Sequence, residues 1–163
     1  MLRQNRKMTG CAGEHYVMYR LLQQGFIAAL APENAPDIDI LVSDEAGQTL
    51  SAIQVKTSGS KVTEGWMMSA RQETLVRQSL FYCFICPGDG SSQPTCWLVP
   101  SAVVAEHVSS THRAWLSDKS ARRHRNDSDR RKFHIIQKSP PMAQYGDGWL
   151  NHYREAWQLL RTA

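Results

Sequence analysis

The stretch PDIDILVSDEAGQTLSAIQVKTS, residues 36–58, sets two carboxylates, an amide and an ammonium (Asp37, Asp39, Gln54 and Lys56) inside two apolar segments joined by a polar turn. Side chains alternate along a strand, so Asp37, Asp39 and Leu41 share one face while Ile38, Ile40 and Val42 take the other. The second segment divides the same way, with Ala52, Gln54 and Lys56 against Ile53, Val55 and Thr57. A hairpin turning about Ala46 and Gly47 pairs Leu41 with Ala52, Asp39 with Gln54 and Asp37 with Lys56. A one-residue slip would put Asp39 opposite Ile53 or Val55. All four polar side chains therefore converge. A carboxylate, an amide oxygen and an ammonium together suit a hard cation and a phosphate. Mg2+ prefers oxygen ligands, and Asp39, the Gln54 side-chain oxygen and the Val55 carbonyl could hold it, with Lys56 beside a water or phosphate. The same spacing also fits an exposed hairpin face carrying an ordinary Asp37–Lys56 ion pair, which is weakly stabilising.

Glu14 bears on that choice. It lies one turn before Val17 and Met18 and two turns before Leu21 in TGCAGEHYVMYRLLQQG, a segment with helical apolar spacing and Gly25 as its stop. That places it on or beside the face the helix buries, where a carboxylate needs a partner. A cation or Lys56 could be that partner. The competing arrangement is a first-turn glutamate at the surface, interacting with the helix dipole.

The remaining elements must position these groups. The spacing predicts a short strand or extended link in FIAALAP, a strand over residues 38–42, a second over 50–57, and a third in WMMSA. FYCFIC reads as a buried strand and TCWLVP as a further one. PSAVVAEHV reads as a helix with Pro100 near its first turn and Ser101 as a possible cap. KFHIIQ reads as a last strand, and DGWLNHYREAWQLLRTA as an amphipathic segment packing through Trp149, Leu150, Tyr153, Trp157 and Leu160. Residues 1–9 read as an arm and residues 117–132 as a basic loop or solvated helix. A helix followed by a strand meander and mixed elements indicates an α/β or α+β sandwich in one domain spanning residues 1–163.

The 163 residues are 42% hydrophobic, enough for a core, and carry a net charge of +4 with a sequence pI near 9.0. The charge is concentrated: residues 113–138 hold nine Lys or Arg against three Asp. Arg122, Arg123, Arg125, Arg130, Arg131 and Lys132 are candidate contacts to a phosphate backbone, the alternative being a solvated loop that contacts nothing. The basic N-terminus precedes no unbroken apolar run, and no segment approaches the ~20 apolar residues of a membrane span, so a soluble cytoplasmic protein is expected. Cys83 and Cys86 form a CxxC inside an apolar strand, where their spacing sends the thiols to opposite faces; with no second ligand pair this is not a zinc motif. The six histidines show no metal-site spacing.

On AGEHYVMYRLLQQGF, PDIDILV and SAIQVKTS, and more loosely on CWLVPSAVV, the sequence resembles the PD-(D/E)xK nuclease superfamily. The likeness is to its glutamine-variant branch, which includes some homing endonucleases. It covers residues 10–58 and thins beyond Pro100. It implies a restriction-endonuclease-like α/β core, a mixed central sheet flanked by helices, with a catalytic β-hairpin. It further implies metal-dependent hydrolysis of DNA phosphodiesters with Mg2+ or Mn2+. Carried over by position, Glu14 resembles the family's helix acid, Asp39 its metal-binding aspartate, Gln54 the variant of its second acid, and Lys56 its catalytic lysine. Asp37, directly after the proline, is the second candidate for the aspartate. The departure is Gln54, which removes one negative charge from the metal site. Cutting both strands would favour a homodimer or higher homo-oligomer. Two other classes remain: a non-catalytic DNA-binding module or regulatory subunit on the same fold, and a partner-binding protein using exposed Trp66 and Trp149. A nucleotidyltransferase DxD at Asp37 and Asp39 lacks the Gly-Ser turn expected upstream.

Overall fold

The structure, a computed structural model, describes residues 5–48, 50–59, 65–88, 92–119, 125–138 and 140–161. Its first helix, α1 (Arg6–Gln23), starts earlier than the sequence predicts, because the Asn5 side chain accepts the Lys7 N–H and caps it. Residues 6–9 are thus the first turn of α1 rather than part of an arm, and residues 1–4 lie outside the described residues. The strands β1 (Ile27–Leu30), β2 (Ile40–Ser43), β3 (Leu50–Thr57), β4 (Gly65–Ser69), β5 (Leu80–Cys86) and β6 (Thr95–Pro100) follow. They lead to α2 (Ser101–Ser117) and β7 (Arg130–His134), and the chain closes with short 3-10 turns.

Five strands form one mixed sheet in the order β1-β2-β3-β5-β6, in which β3 and β5 run parallel and all other pairs antiparallel. β5 lies inside the sheet between β3 and β6, and its six residues from Leu80 to Ile85 are buried, as a strand covered on both faces must be. Alternation sorts its side chains into two cores. Phe81, Cys83 and Ile85 join Ile53, Val55, Val17 and Leu21 under α1. Leu80, Tyr82 and Phe84 join Val104 and Val108 of α2, with Trp66 and Phe133, on the opposite face.

Gly13 sets how closely α1 lies on the sheet: a Cβ there would fall 1.9 Å from the Thr57 hydroxyl. β4 and β7 pair as a separate two-stranded ribbon. Its inner face is fixed by the stack of Phe133 on Phe84, with centroids 4.1 Å apart, and by the Trp66 Nε1–H donated to the Ile85 carbonyl at 3.1 Å.

Several expectations are revised. β2 begins at Ile40 rather than residue 38, because Asp37 has a φ of 63° and the chain cannot run extended through it. α2 continues nine residues past PSAVVAEHV, and Ser101 is not its cap: the hydroxyl donates to the Arg77 carbonyl at 2.8 Å and accepts the Arg77 N–H at 3.0 Å. Residues 117–132 are neither one loop nor one helix, since Ser117 ends α2 and residues 130–132 lie in β7. The C-terminal segment packs through buried Leu150, Trp157 and Leu160 but as separate 3-10 turns, Trp149–Tyr153 and Trp157–Arg161. Trp66 is 3% exposed, so it offers no interface. Cys83, Cys86 and Cys96 are free thiols, Cys83 and Cys96 fully buried. Among the described residues no helix is long and apolar enough to cross a membrane.

Candidate active site

The site forms where β2 ends and β3 continues. The register sets Leu41 opposite Ala52 and Ile40 opposite Ile53, the alignment predicted from matching faces. Past Ile40, the Asp39 N–H still donates to the Ile53 carbonyl at 2.9 Å, but the next position on β3 is met by a side chain. The Asp39 carboxylate accepts the Val55 N–H at 2.6 Å. Odd residues of β3 face β2 and even ones face β5, as the Ala52 N–H donated to Ser79 and the Ser58 N–H donated to Ile85 show. The Val55 carbonyl therefore points to the same edge as the Asp39 carboxylate.

Three further side chains reach this edge from both faces of the sheet. Glu14 comes from the α1 side, half-buried, and burial together with the Asp39 charge raises its carboxyl above the ordinary range. Gln54 and Lys56 project from the other face by strand alternation. Burial pulls the Lys56 ammonium below its usual value, and the Asp39 and Asp37 carboxylates pull the other way. The Gln54 Oε1 atom is buried and meets no hydrogen-bond donor among the described residues. A buried carbonyl oxygen left in that state is costly.

Asp37 does not pair with Lys56 across the hairpin. Its left-handed backbone turns the carboxylate to Arg71, 2.5 Å away, and the Asp37 side chain is only 7% exposed. It contributes charge at a distance: it is a secondary influence on Lys56 and, after burial, on Tyr82, whose phenol is pushed up to about 12. Tyr82 sits opposite Gln54 in the β3–β5 register. Neither Tyr82 nor Arg71 carries a local sequence signal, because both reach the site through long-range pairing. Arg6 is also new: with Lys56, Thr57, Met67 and Lys132 it lines a cavity of about 480 Å³ beside the site.

The donor set suits a hard cation. Among the described residues no three His, Cys, Asp or Glu side chains gather into a metal cluster. A cation at this edge would thus take Asp39 and Glu14 as carboxylates, with Gln54 Oε1 and the Val55 carbonyl as neutral oxygens, a set of the kind Mg2+ or Mn2+ accepts.

The basic residues separate sharply. Arg131 is 6% exposed and bound to Glu73, with Asp127 also in reach. Arg125 pairs with Asp118 at 3.2 Å and lies over the Trp115 ring at 4.9 Å. Arg130 and Lys132 instead occupy the outward face of β7. Arg122 and Arg123 lie outside the described residues.

No protein-family model matches the sequence, and no curated protein matches it. Its architecture does have solved counterparts. The bacterial homing endonuclease I-Ssp6803I superposes with a TM-score of 0.58 at 17% identity, over 98% of this chain and 94% of that one. The fold is restriction-endonuclease-like. The Holliday junction resolvase Hjc of Archaeoglobus fulgidus lies further off, with a TM-score of 0.45 at 14% identity, over 77% of this chain and 83% of that one. Within the restriction-endonuclease-like fold, the mixed sheet with α1 over one face and α2 over the other is the frame that holds Asp39, Gln54 and Lys56 at one open strand edge.

Proposed function

We propose that the chain is a metal-dependent endonuclease that hydrolyses phosphodiester bonds of DNA, using Asp39, Glu14, Gln54 and the Val55 carbonyl to hold Mg2+ or Mn2+ and Lys56 to act on the phosphate. The observation that carries this reading is the Asp39 carboxylate, held on the Val55 N–H, with Glu14 and Lys56 both close enough to feel its charge.

Bound at this edge, the cation supplies a Lewis acid that withdraws charge from a phosphate and acidifies water. The chain's own groups do the rest. Asp39 is fixed by the Val55 N–H, so its carboxylate does not need to reorganise. Lys56, partly desolvated and held beside the Asp39 and Asp37 charges, presents a positive charge to the non-bridging oxygens. Arg6 and Lys132, on the walls of the adjoining cavity, draw a polyanion toward Lys56. Cutting both strands of a duplex would require two such sites, supplied by a second copy of the chain.

The test is cleavage of supercoiled plasmid with Mg2+ or Mn2+. Conversion to open-circular or linear DNA is expected, abolished by EDTA and by Lys56→Ala. Wild-type protein that is inert on supercoiled, linear, branched and single-stranded DNA and binds no divalent cation would falsify the enzyme reading, leaving a nuclease fold kept for binding.

A further inference from the structure

The outward face of the β4–β7 ribbon continues away from the site as the floor of a second groove. The register pairs Met67 with Lys132 and Ser69 with Arg130, and strand alternation turns all four away from the aromatic core that holds Trp66 and Phe133. Met67 is 60% exposed, unusual for so large an apolar side chain on a strand otherwise built into the core. The opposite wall is α2, where His112 and Trp115 stack with ring centroids 5.5 Å apart. The groove between them encloses about 310 Å³ and is lined by Met67, Arg130, Lys132, His112 and Trp115 among others. Lys132 and Met67 line this groove and also the cavity that contains Lys56, so the two adjoin across this cross-strand pair.

A floor of cations and an exposed methionine against a wall of aromatic rings is the combination that holds one nucleic-acid strand: cations follow the phosphates, and apolar and aromatic surfaces take the base faces. The Asp127 carboxylate does not oppose this, since it is held by His112 at 2.8 Å and also faces Arg131. Size discriminates between strand and duplex. The groove is at the lower end of sites that hold a single small ligand, whereas a duplex offers only stacked, paired bases, whose faces cannot reach a recessed ring.

Resting on the nuclease reading of the Lys56 site, we propose that this groove is a subsite for one unpaired nucleotide adjoining the scissile phosphate. The preferred substrate is then DNA with an unpaired strand beside the cut, such as a duplex carrying a single-stranded arm, rather than a continuous duplex.

The experiment measures binding by fluorescence anisotropy, with Ca2+ in place of Mg2+, using labelled oligonucleotides: a blunt duplex and the same duplex with a single-stranded arm. The armed duplex is expected to bind about tenfold more tightly, the scale of one stacked base. Trp115→Ala should reduce that difference without changing blunt-duplex affinity, and Met67→Ser should reduce the same difference by removing the apolar floor. Because Trp115 also packs against Arg125, Met67→Ser is the variant that tests the groove if Trp115→Ala fails to fold. Equal affinity for the two DNAs, or a preference for the arm unchanged in Met67→Ser, overturns the proposal. Binding is read without cleavage, so a protein that prefers the arm but never cuts refutes the nuclease reading and not the subsite.

Discussion

The Asp39 carboxylate takes the Val55 N–H at 2.6 Å, occupying the place a backbone carbonyl would hold if β2 ran one residue pair further. One side chain therefore ends a strand pairing and begins a site. The hydrogen bond and the charge can be separated. Asp39→Asn keeps an oxygen for the Val55 N–H and loses the charge, so it should fold with near wild-type stability while cleavage falls at least about a hundredfold. Asp39→Ala leaves a half-buried donor unpaired and should also cost about 1–3 kcal/mol. Urea unfolding beside a plasmid-nicking assay distinguishes the two variants. Equal stability for both would mean that the Asp39–Val55 bond contributes nothing to the fold.

Gln54 should show the opposite balance. Its Oε1 is buried without a donor among the described residues, which penalises the cation-free chain. Replacing it with Leu, of similar volume and with no polar atom, is expected to raise stability in EDTA by about 1 kcal/mol. The same change should remove cleavage. Gln54→Glu adds a third carboxylate near Asp39 and Glu14, so it should lower stability in EDTA and tighten Mn2+ binding, read by calorimetry. A Gln54→Leu protein less stable than wild type in EDTA would show that the amide has a structural partner.

The alternation of Leu41, Gln54 and Lys56 was legible because a strand repeats every two residues, and the β2–β3 register follows from matching the faces; Asp39 lies one residue before β2 and meets the Val55 N–H rather than pairing with Gln54. Asp37 escaped the same logic because a left-handed φ of 63° breaks the period just before the strand begins. The basic run read as a block, and only the strand β7 divides it, turning Arg131 inward to Glu73 and Arg130 and Lys132 outward. Arg6 was lost by reading the N-terminus as an arm, although Asn5 ahead of it is a recognisable cap. Tyr82, Arg71 and the α2 wall of the second groove reach their places through pairing distant in sequence, which no local pattern announces.

The two perturbed groups of the site give stability opposite slopes in pH. Glu14 has a raised folded pKa, so between its ordinary value of 4.5 and that raised value the folded chain binds more protons than the unfolded one. Stability from Glu14 is therefore present at acid pH and lost as pH rises through that window. Lys56 is lowered from 10.5, so between its folded value and 10.5 the unfolded chain binds more protons and stability rises with pH. Lys56→Met should raise the urea midpoint at pH 7, and the gain should shrink as pH approaches 10.5. Glu14→Gln should raise it at pH 7 and lose that advantage near pH 4. Flat difference profiles for both variants would remove the electrostatic account of the site.

Gly13 ties the helix acid to the strand. A Cβ at this position would sit 1.9 Å from the Thr57 Oγ1 atom and 3.1 Å from the Thr57 Cβ, so α1 must lift from β3. Gly13→Ala gains helix propensity but overpacks the contact, and a net loss of about 1–3 kcal/mol is expected. Glu14, the next residue, moves with it, so Mn2+ affinity should fall as well. Thr57→Ala removes the nearer atom and should recover part of both losses in the double variant, a coupling measurable by a double-mutant cycle. Additive effects would mean that α1 and β3 do not meet at this point.

The division of the basic residues predicts which substitutions affect folding and which affect DNA. Arg131 is 6% exposed and paired with Glu73, so Arg131→Gln leaves that carboxylate without its cation and should destabilise the chain by about 3 kcal/mol. Arg130 lies on the exposed face of β7, and Arg130→Gln should leave the urea midpoint nearly unchanged. It should instead weaken DNA binding and reduce the slope of log affinity against log salt by about 1. Anisotropy titrations over a range of salt concentrations, run beside urea melts of both variants, decide the point. If Arg130→Gln leaves the salt slope unchanged, β7 does not face the phosphates, and the track from Lys56 to the second groove lies elsewhere.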